Sequence, residues 1–314
     1  MKRQPGSRRR SEDRQRAIPS EIRLPKDVCE LFQMVPDLKH QTNLNWRCAY
    51  MIGWKPEKDK LQHDRWHKVL GGEYKLGPKK LPIGLPPATE IKDSLQKQGY
   101  LMETFALRTD WRLVVGLGAA HVADTAMTIH RIYSAPYIPG SALKGITRDW
   151  VRQQIKKHAS AFWNEKTFVL AFGSPHNEPQ SPKNRGVALF FDAFPKGGFT
   201  IRVDVMTPHF KDYYEGKQMD LGNKKVPTPP ADWLSPTPIE FLTVENTEFE
   251  FLIAVDAYRL KKLQDAGKAP GDVNAQTLLD EVKKALESAL RERGVGAKTR
   301  LGYGLFKEVK EWRR

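Results

Sequence analysis

Residues 277–304 read TLLDEVKKALESALRERGVGAKTRLGYG, an amphipathic helix that runs directly into a glycine-rich segment. Leu278, Leu279, Val282, Leu286, Ala289 and Leu290 recur at helical spacing and mark one apolar face. Gly294 stands where a left-handed residue closes a helix. The next stretch, YGLFKEVKEW, reads as a strand, so the order is helix, glycines, strand. This order constrains the fold more than any other feature. Phosphate loops and dinucleotide fingerprints need the reverse order, strand before glycines before helix. The letters fail as well. Ala297, not glycine, precedes Lys298-Thr299, and Thr299 fills the third position of G-x-G-x-x-G. A nucleotide cofactor is therefore not expected, and no other cofactor is called for.

The glycines let backbone approach another chain closely. Lys298 and Arg300 add positive charge, Thr299 a hydroxyl and Tyr303 an aromatic face, a set that suits a nucleic-acid backbone. A helix end followed by a tight packing turn explains the same glycines, and both readings stay open on this segment alone.

Charge points the same way as the first reading. The 314 residues hold 52 Lys and Arg against 37 Asp and Glu, a formal net charge of +15. Such a surplus suits a polyanionic partner, nucleic acid before an anionic membrane. No run of 18 apolar residues suggests a membrane span. The basic N-terminus lacks the apolar stretch of a secretory signal. Two cysteines, Cys29 and Cys48, make neither a disulfide framework nor a zinc site. A cytoplasmic location is the expectation.

The rest of the chain divides by pattern. Residues 1–17 read as a basic disordered tail, and 18–99 as a helical N-terminal addition with a Gly/Pro-rich loop over 71–87. Segment 101–118 reads as one or two strands broken near Thr109-Asp110. Ser141 is expected to cap a helix running to about residue 159, with Leu143, Ile146, Trp150 and Val151 as its apolar stripe. Segments 186–195 and 198–208 read as strands joined by a tight turn. Two further strands are expected as a hairpin across Asn246-Thr247. The result is an α+β fold of two ferredoxin-like (RRM-like) units with glycine-rich loops, at 100–210 and 238–314, separated by a protruding loop at 211–237. A doubly wound parallel sheet would need more strand–helix alternation.

Several motifs are candidates for chemistry. Gly140, Ser141, Lys144 and Arg148 open a helix after Pro139, an arrangement that suits an anion. Ser141-x-x-Lys144 lacks the S-D-N and K-T-G companions of serine acyl enzymes. His63 and His67 are four apart, but Asp64 replaces the glutamate of a zinc protease, so they read as a surface helix face and no metal is expected. His121, Asp124 and His130 fall in one loop, with Asp124 a candidate for ribonuclease chemistry. Phe210, Tyr213 and Tyr214 lie in the protruding loop, where they suit contact with RNA or a partner.

The segments GLGAAHVADTAMTIHRIYSAPYIPGSALKGITRDWV and GVGAKTRLGYG, with FDAFP, DVMTPHF and PTPIEFLTV between them in order, resemble the RAMP superfamily of CRISPR-associated proteins. Within it they resemble the sixth-subunit family of Cmr (type III-B) effector complexes. The resemblance covers residues from about 100 to the end. It implies a non-catalytic RNA-binding subunit that caps a filament and holds the 3′ part of the CRISPR RNA and the guide–target duplex. CRISPR RNA, complementary target RNA and other RAMP subunits are then the implied partners. Filament subunits of the superfamily cut RNA with an aspartate in the loop that holds Asp124, so a ribonuclease is one alternative; a protein-only scaffold is another. The binding residues implied are Gly140, Ser141, Lys144, Arg148, Gly296, Lys298, Thr299, Arg300, Gly302 and Tyr303. His121, Phe210, Tyr213 and Tyr214 are secondary candidates.

Overall fold

The computed structural model describes residues 54–57, 60–63, 73–76, 88–121, 125–174, 185–234 and 236–309. The tail at 1–17 and most of the N-terminal addition lie outside them. Where the addition is described, it holds strands as well as a helix. β1 (Trp54–Glu57) and β2 (Lys60–His63) pair antiparallel. His63 thus sits on a strand rather than the expected helix face, and His67 lies outside the described residues. β3 (Glu73–Leu76) falls inside the expected loop and adds a strand to the edge of a sheet. Helix α1 (Ala88–Gln96) leads into β4 (Tyr100–Thr109).

Two antiparallel sheets organise the chain from β4 onward. After β4 come β5 (Arg112–Leu113), α2 (Gly140–Lys156), α3 (Glu165–Phe172), β6 (Ala188–Phe190), β7 (Phe194–Pro195) and β8 (Phe199–Met206). A short α4 (Lys211–Tyr214) and the pair β9 (Gln218–Leu221) and β10 (Lys224–Pro227) form an excursion. The chain returns through β11 (Ile239–Glu245) and β12 (Glu248–Asp256). It ends with α5 (Ala257–Asp265), α6 (Ala275–Glu292) and β13 (Phe306–Glu308). One sheet runs β13-β4-β12-β6, with β7 also on β12; the other runs β3-β8-β11-β5.

The expected hairpin at Asn246-Thr247 is not one. β11 and β12 are consecutive, yet they belong to different sheets. The chain turns a corner there, and β4 to β5 turns the same corner. Polar groups at the corner bond across it. Thr109 N–H donates to the Thr247 carbonyl at 3.0 Å, and Thr247 N–H donates to Thr109 Oγ1 at 3.1 Å. Thr247 is fully buried, so these bonds satisfy groups that a hairpin ladder would otherwise have paired. Likewise β7 and β8, joined by the expected turn at 196–198, diverge into separate sheets. β12 pairs with β4 along its whole length, which joins residues 100–108 to 248–256 across the expected loop.

The core sits between the five-stranded sheet and its helices. Phe249, Phe251, Ile253 and Val255 of β12 meet Leu278, Leu279, Val282, Leu286 and Leu290 of α6. The expected apolar face of α6 is thus the buried one. Asn274 caps the helix by accepting from Thr277 N–H at 2.7 Å. Gly294, at φ 73°, closes it with its N–H on the Ala289 carbonyl at 3.0 Å.

Helix α2 starts differently from the expectation. Pro139, not Ser141, is the cap residue, and no side chain of its own turn caps it. Instead Asp192 accepts from Gly140 N–H at 2.7 Å. A Cβ on Gly140 would lie 2.2 Å from the Phe190 carbonyl oxygen, so the glycine is demanded by close approach to β6.

Candidate nucleic-acid interface

The glycine segment packs inward on one side. Ala297 N–H donates to the Val114 carbonyl at 2.7 Å, and Gly304 N–H donates to the Arg112 carbonyl at 2.7 Å. A Cβ on Gly296 would lie 2.0 Å from the Val114 oxygen; one on Gly304 would lie 2.0 Å from the Val295 oxygen. Gly296 therefore lets the segment lie against the chain just after β5, and Gly304 lets the two ends of the segment close on each other. Gly302 is different: nothing lies within 4 Å of its added Cβ, and its φ is 90°. Lys298 is itself left-handed, at φ 59°, and begins a 3-10 turn over Thr299–Leu301. Of the two readings of the glycines, tight packing holds for Gly296 and Gly304. The outward turn 298–302 is what remains for a ligand.

Tyr303 does not offer a stacking face. It is only 7% exposed, with Trp111 at 4.7 Å and Phe241 at 6.0 Å between ring centroids. Its hydroxyl donates to Asp204 Oδ2 at 2.7 Å. Asp204 also pairs with Arg112, which bonds Glu245 at 3.3 Å, and Glu245 pairs with Arg202. This network pins the glycine segment to the β8-β11-β5 sheet. No sequence motif announces it, because bonded partners within it lie up to 133 residues apart. Burial and the bond to Asp204 push the Tyr303 hydroxyl up to about 12. Burial would raise the Asp204 carboxyl, but the Tyr303 hydroxyl, the Val205 N–H and Arg112 outweigh it and hold it below its ordinary value.

The signs give a stability profile. Asp204 contributes stability above pH about 4 that is lost as pH falls through its depressed value. Tyr303 contributes stability that is complete below pH about 10 and is lost as pH rises towards 12. Tyr303→Phe is expected to lower stability at pH 7 by about 1.5–3 kcal/mol in urea unfolding, the worth of a bond to a charged acceptor. The variant should lack the wild-type loss between pH 10 and 12; an identical alkaline profile would contradict the assignment.

The opening of α2 carries the second set of candidates. Ser141 is exposed and Lys144 half-buried. Burial lowers the Lys144 pKa, and the charges of Arg148 and Arg185 lower it further. Among the described residues no carboxylate pairs with any of these three. Asp192 already occupies the helix N-terminus through Gly140, so the side-chain cations, rather than the orphan N–H groups, are what an anion would meet. Arg148 and Arg152 lie over the Phe168 ring of α3, at 5.7 and 5.1 Å from its centroid. Nothing in the sequence singles out Arg185; only the fold brings it beside Lys144. In the glycine segment Arg300 is exposed, while Lys298 Nζ sits 5.4 Å from the Phe241 ring centroid. No hydrogen bond, ion pair or ring contact joins the two cation sets among the described residues.

The remaining candidates scatter. Asp124 lies outside the described residues. His121 is half-buried. His130 packs in an aromatic cluster with Tyr133, Tyr137 and Phe194, and its Nδ1 accepts from the N–H groups of Ile132 and Tyr133 at 3.3 Å. Phe210 caps the short α4, while Tyr213 and Tyr214 are exposed upon it. Beyond α4 the 211–237 excursion is the β9–β10 hairpin, with Leu221 and Trp233 also exposed. Among the described residues no group of three His, Cys, Asp or Glu is placed to hold a metal. None of the described helices is long and apolar enough to cross a membrane.

Residues 106–307 match the family model described as the RAMP superfamily. The chain is 32% identical over 252 residues to the CRISPR system Cmr subunit Cmr6 of Pyrococcus furiosus, over 65% of this chain and 67% of that protein. It is 25% identical over 256 residues to the CRISPR system CMR subunit Cmr6 of Saccharolobus solfataricus, over 80% and 72%. Among solved structures it is similar to a chain in the cryo-EM structure of the type III-B Cmr-beta bound to cognate target RNA. That match has 22% identity and a TM-score of 0.45, and covers 71% of this chain and 63% of that one. It is also similar to the crystal structure of Cmr6 from Pyrococcus furiosus, with 28% identity, a TM-score of 0.36 and coverage of 68% and 99%. The chain thus spans under two thirds of the Cmr-beta chain it matches.

Proposed function

Since the chain belongs to the RAMP superfamily, and within it to the family of CRISPR-system Cmr6 subunits, we propose that it is a non-catalytic RNA-binding subunit of a type III-B effector ribonucleoprotein. Its partners are CRISPR RNA, complementary target RNA and other RAMP subunits, in the cytoplasm. Its place is the end of the backbone filament, where it holds the 3′ part of the guide and its duplex with target. We read the sheet β13-β4-β12-β6 as a ferredoxin-like unit. Support comes from its strand order and from helices α2 and α6, which connect β4 to β6 and β12 to β13.

One observation carries the RNA reading: Lys144, Arg148 and Arg185 stand together without a carboxylate partner among the described residues. Like charges crowded on a half-buried lysine cost stability in the free protein. A polyanion that enters the cluster relieves that cost. The turn at 298–302 supplies Lys298 and Arg300 as a second contact. Cations that hold phosphates carry no sequence preference, which suits a guide of variable sequence.

The test is copurification. The chain expressed with its CRISPR RNA is expected to carry small RNA, seen as excess absorbance at 260 nm. The Lys144→Ala/Lys298→Ala variant should carry several-fold less. Equal RNA in both proteins, or none in the wild type, would rule the reading out.

A further inference from the structure

A cleft of about 470 Å³ opens between α3 and the turn that follows α5. Lys166, Arg185 and Lys268 line it, with Glu165 as its one carboxylate among the described residues. Its floor is apolar, from Val169, Leu170, Leu263 and Pro270. All three cations are exposed, and among the described residues none of them forms an ion pair.

The walls are held rigidly. Gln264 Nε2 donates to the carbonyls of Pro270 and Val273, both at 2.8 Å, and so fixes the turn that bears Lys268. The Arg185 carbonyl accepts from Arg259 Nε at 3.3 Å and Nη2 at 3.1 Å. A Cβ on Gly186 would lie 2.3 Å from the Ala171 carbonyl oxygen, so the chain beside Arg185 sits against the end of α3.

Arg185 belongs to two places at once. It lines the cleft, and its charge is felt at Lys144 near the start of α2. Arg148 and Arg152 rest on Phe168, the α3 residue two after Lys166. Cations therefore run round α3, from Lys144 and Arg148 through Arg185 to Lys166 and Lys268.

We propose that this cleft is a second phosphodiester site, which carries the RNA backbone from the α2 cluster across α3 to the α5 turn. The proposal rests on the RNA-binding function proposed for the α2 cluster. Three cations against one carboxylate select a polyanion, and the apolar floor offers a surface to sugar or base. A nucleic-acid strand is favoured over an acidic protein because the cations continue outside the cleft as a path.

The experiment compares the full-length protein with Lys166→Gln/Lys268→Gln and with Lys144→Ala. Affinity for labelled single-stranded polyuridine is measured against salt. Each phosphate contact on single strands contributes about 0.7 to the slope of log K on log salt. The double variant is expected to lose about 1.4 in slope and to bind roughly tenfold to thirtyfold more weakly at about 0.1 M salt. Both lysines are exposed, and the circular dichroism of the variant should match wild type. If Lys144→Ala weakens binding while the double variant matches wild type, the cleft is not on the RNA path. If neither variant changes the slope, the RNA reading itself fails. If the double variant keeps its RNA affinity but loses binding to polyglutamate, the cleft is a protein site and the proposal is overturned.

Discussion

Gly296→Ala is expected to lower unfolding stability by about 3 kcal/mol or more, with the midpoint in urea shifted accordingly. Two effects add. The new Cβ would lie 2.0 Å from the Val114 carbonyl oxygen, with Val115 Cγ2 at 3.4 Å. Backbone cannot yield as the tip of a side chain can, so overpacking of about 1–3 kcal/mol applies. The residue is also left-handed, at φ 93°, which disfavours any Cβ by about 1–2 kcal/mol. Gly302→Ala provides the control. It shares the left-handed conformation but meets nothing within 4 Å, so only the second effect remains. Equal losses in the two variants would mean that Gly296 is needed for its φ and not for its approach to Val114. RNA affinity should fall in Gly296→Ala as well, because displacement of the loop moves Lys298 and Arg300.

Lys144→Glu is expected to separate folding from binding. In the wild type Lys144 faces two like charges, Arg148 and Arg185, and its pKa is lowered by burial and by both of them. Glutamate would convert two repulsions into two attractions. Partly exposed pairs are worth about 0.5–1 kcal/mol at most, so stability should be unchanged or slightly higher. RNA binding should fall roughly thirtyfold at about 0.1 M salt: one contact is lost and the new carboxylate neutralises its neighbours. A variant that unfolds more easily would show that Lys144 has a structural role the contacts do not display. A variant that binds RNA normally would remove α2 from the interface.

Helix α6 is plain in the sequence because all its signals agree. Leu278, Val282 and Leu286 follow one face and Gly294 closes the end. The helix–glycine–strand order also stands in the structure. Strand pairing is far less visible. β11 and β12 alternate like a hairpin, but alternation does not say which sheet each strand joins. The decision falls to Thr109 and Thr247, 138 residues apart, whose mutual bonds turn the corner between sheets. The strand at Glu73–Leu76 is hidden for another reason: glycines and prolines flank it, and its pairing comes from β8.

The candidate site is legible as residue types and not as an arrangement. Helical spacing brings Lys144 and Arg148 to notice. It does not find Arg185, because nothing local marks that residue; it matters only once the fold sets it beside Lys144. Asp192, the partner of the α2 N-terminus, escapes for the same reason. Tyr303 shows the opposite error. An aromatic residue among glycines and cations reads as a stacking surface, yet its ring is buried and its hydroxyl is held by Asp204.

In the proposed interface, cations on α2 and the 298–302 turn grip RNA through its backbone. The slope of log affinity on log salt for single-stranded RNA reads that grip, with wild type compared to Lys144→Ala/Lys298→Ala. A backbone grip gives a steep wild-type slope that falls by about 1.4 in the variant, and similar values on polyuridine and polyadenosine. A slope that is the same in both proteins, or an affinity that depends strongly on base sequence, would contradict it.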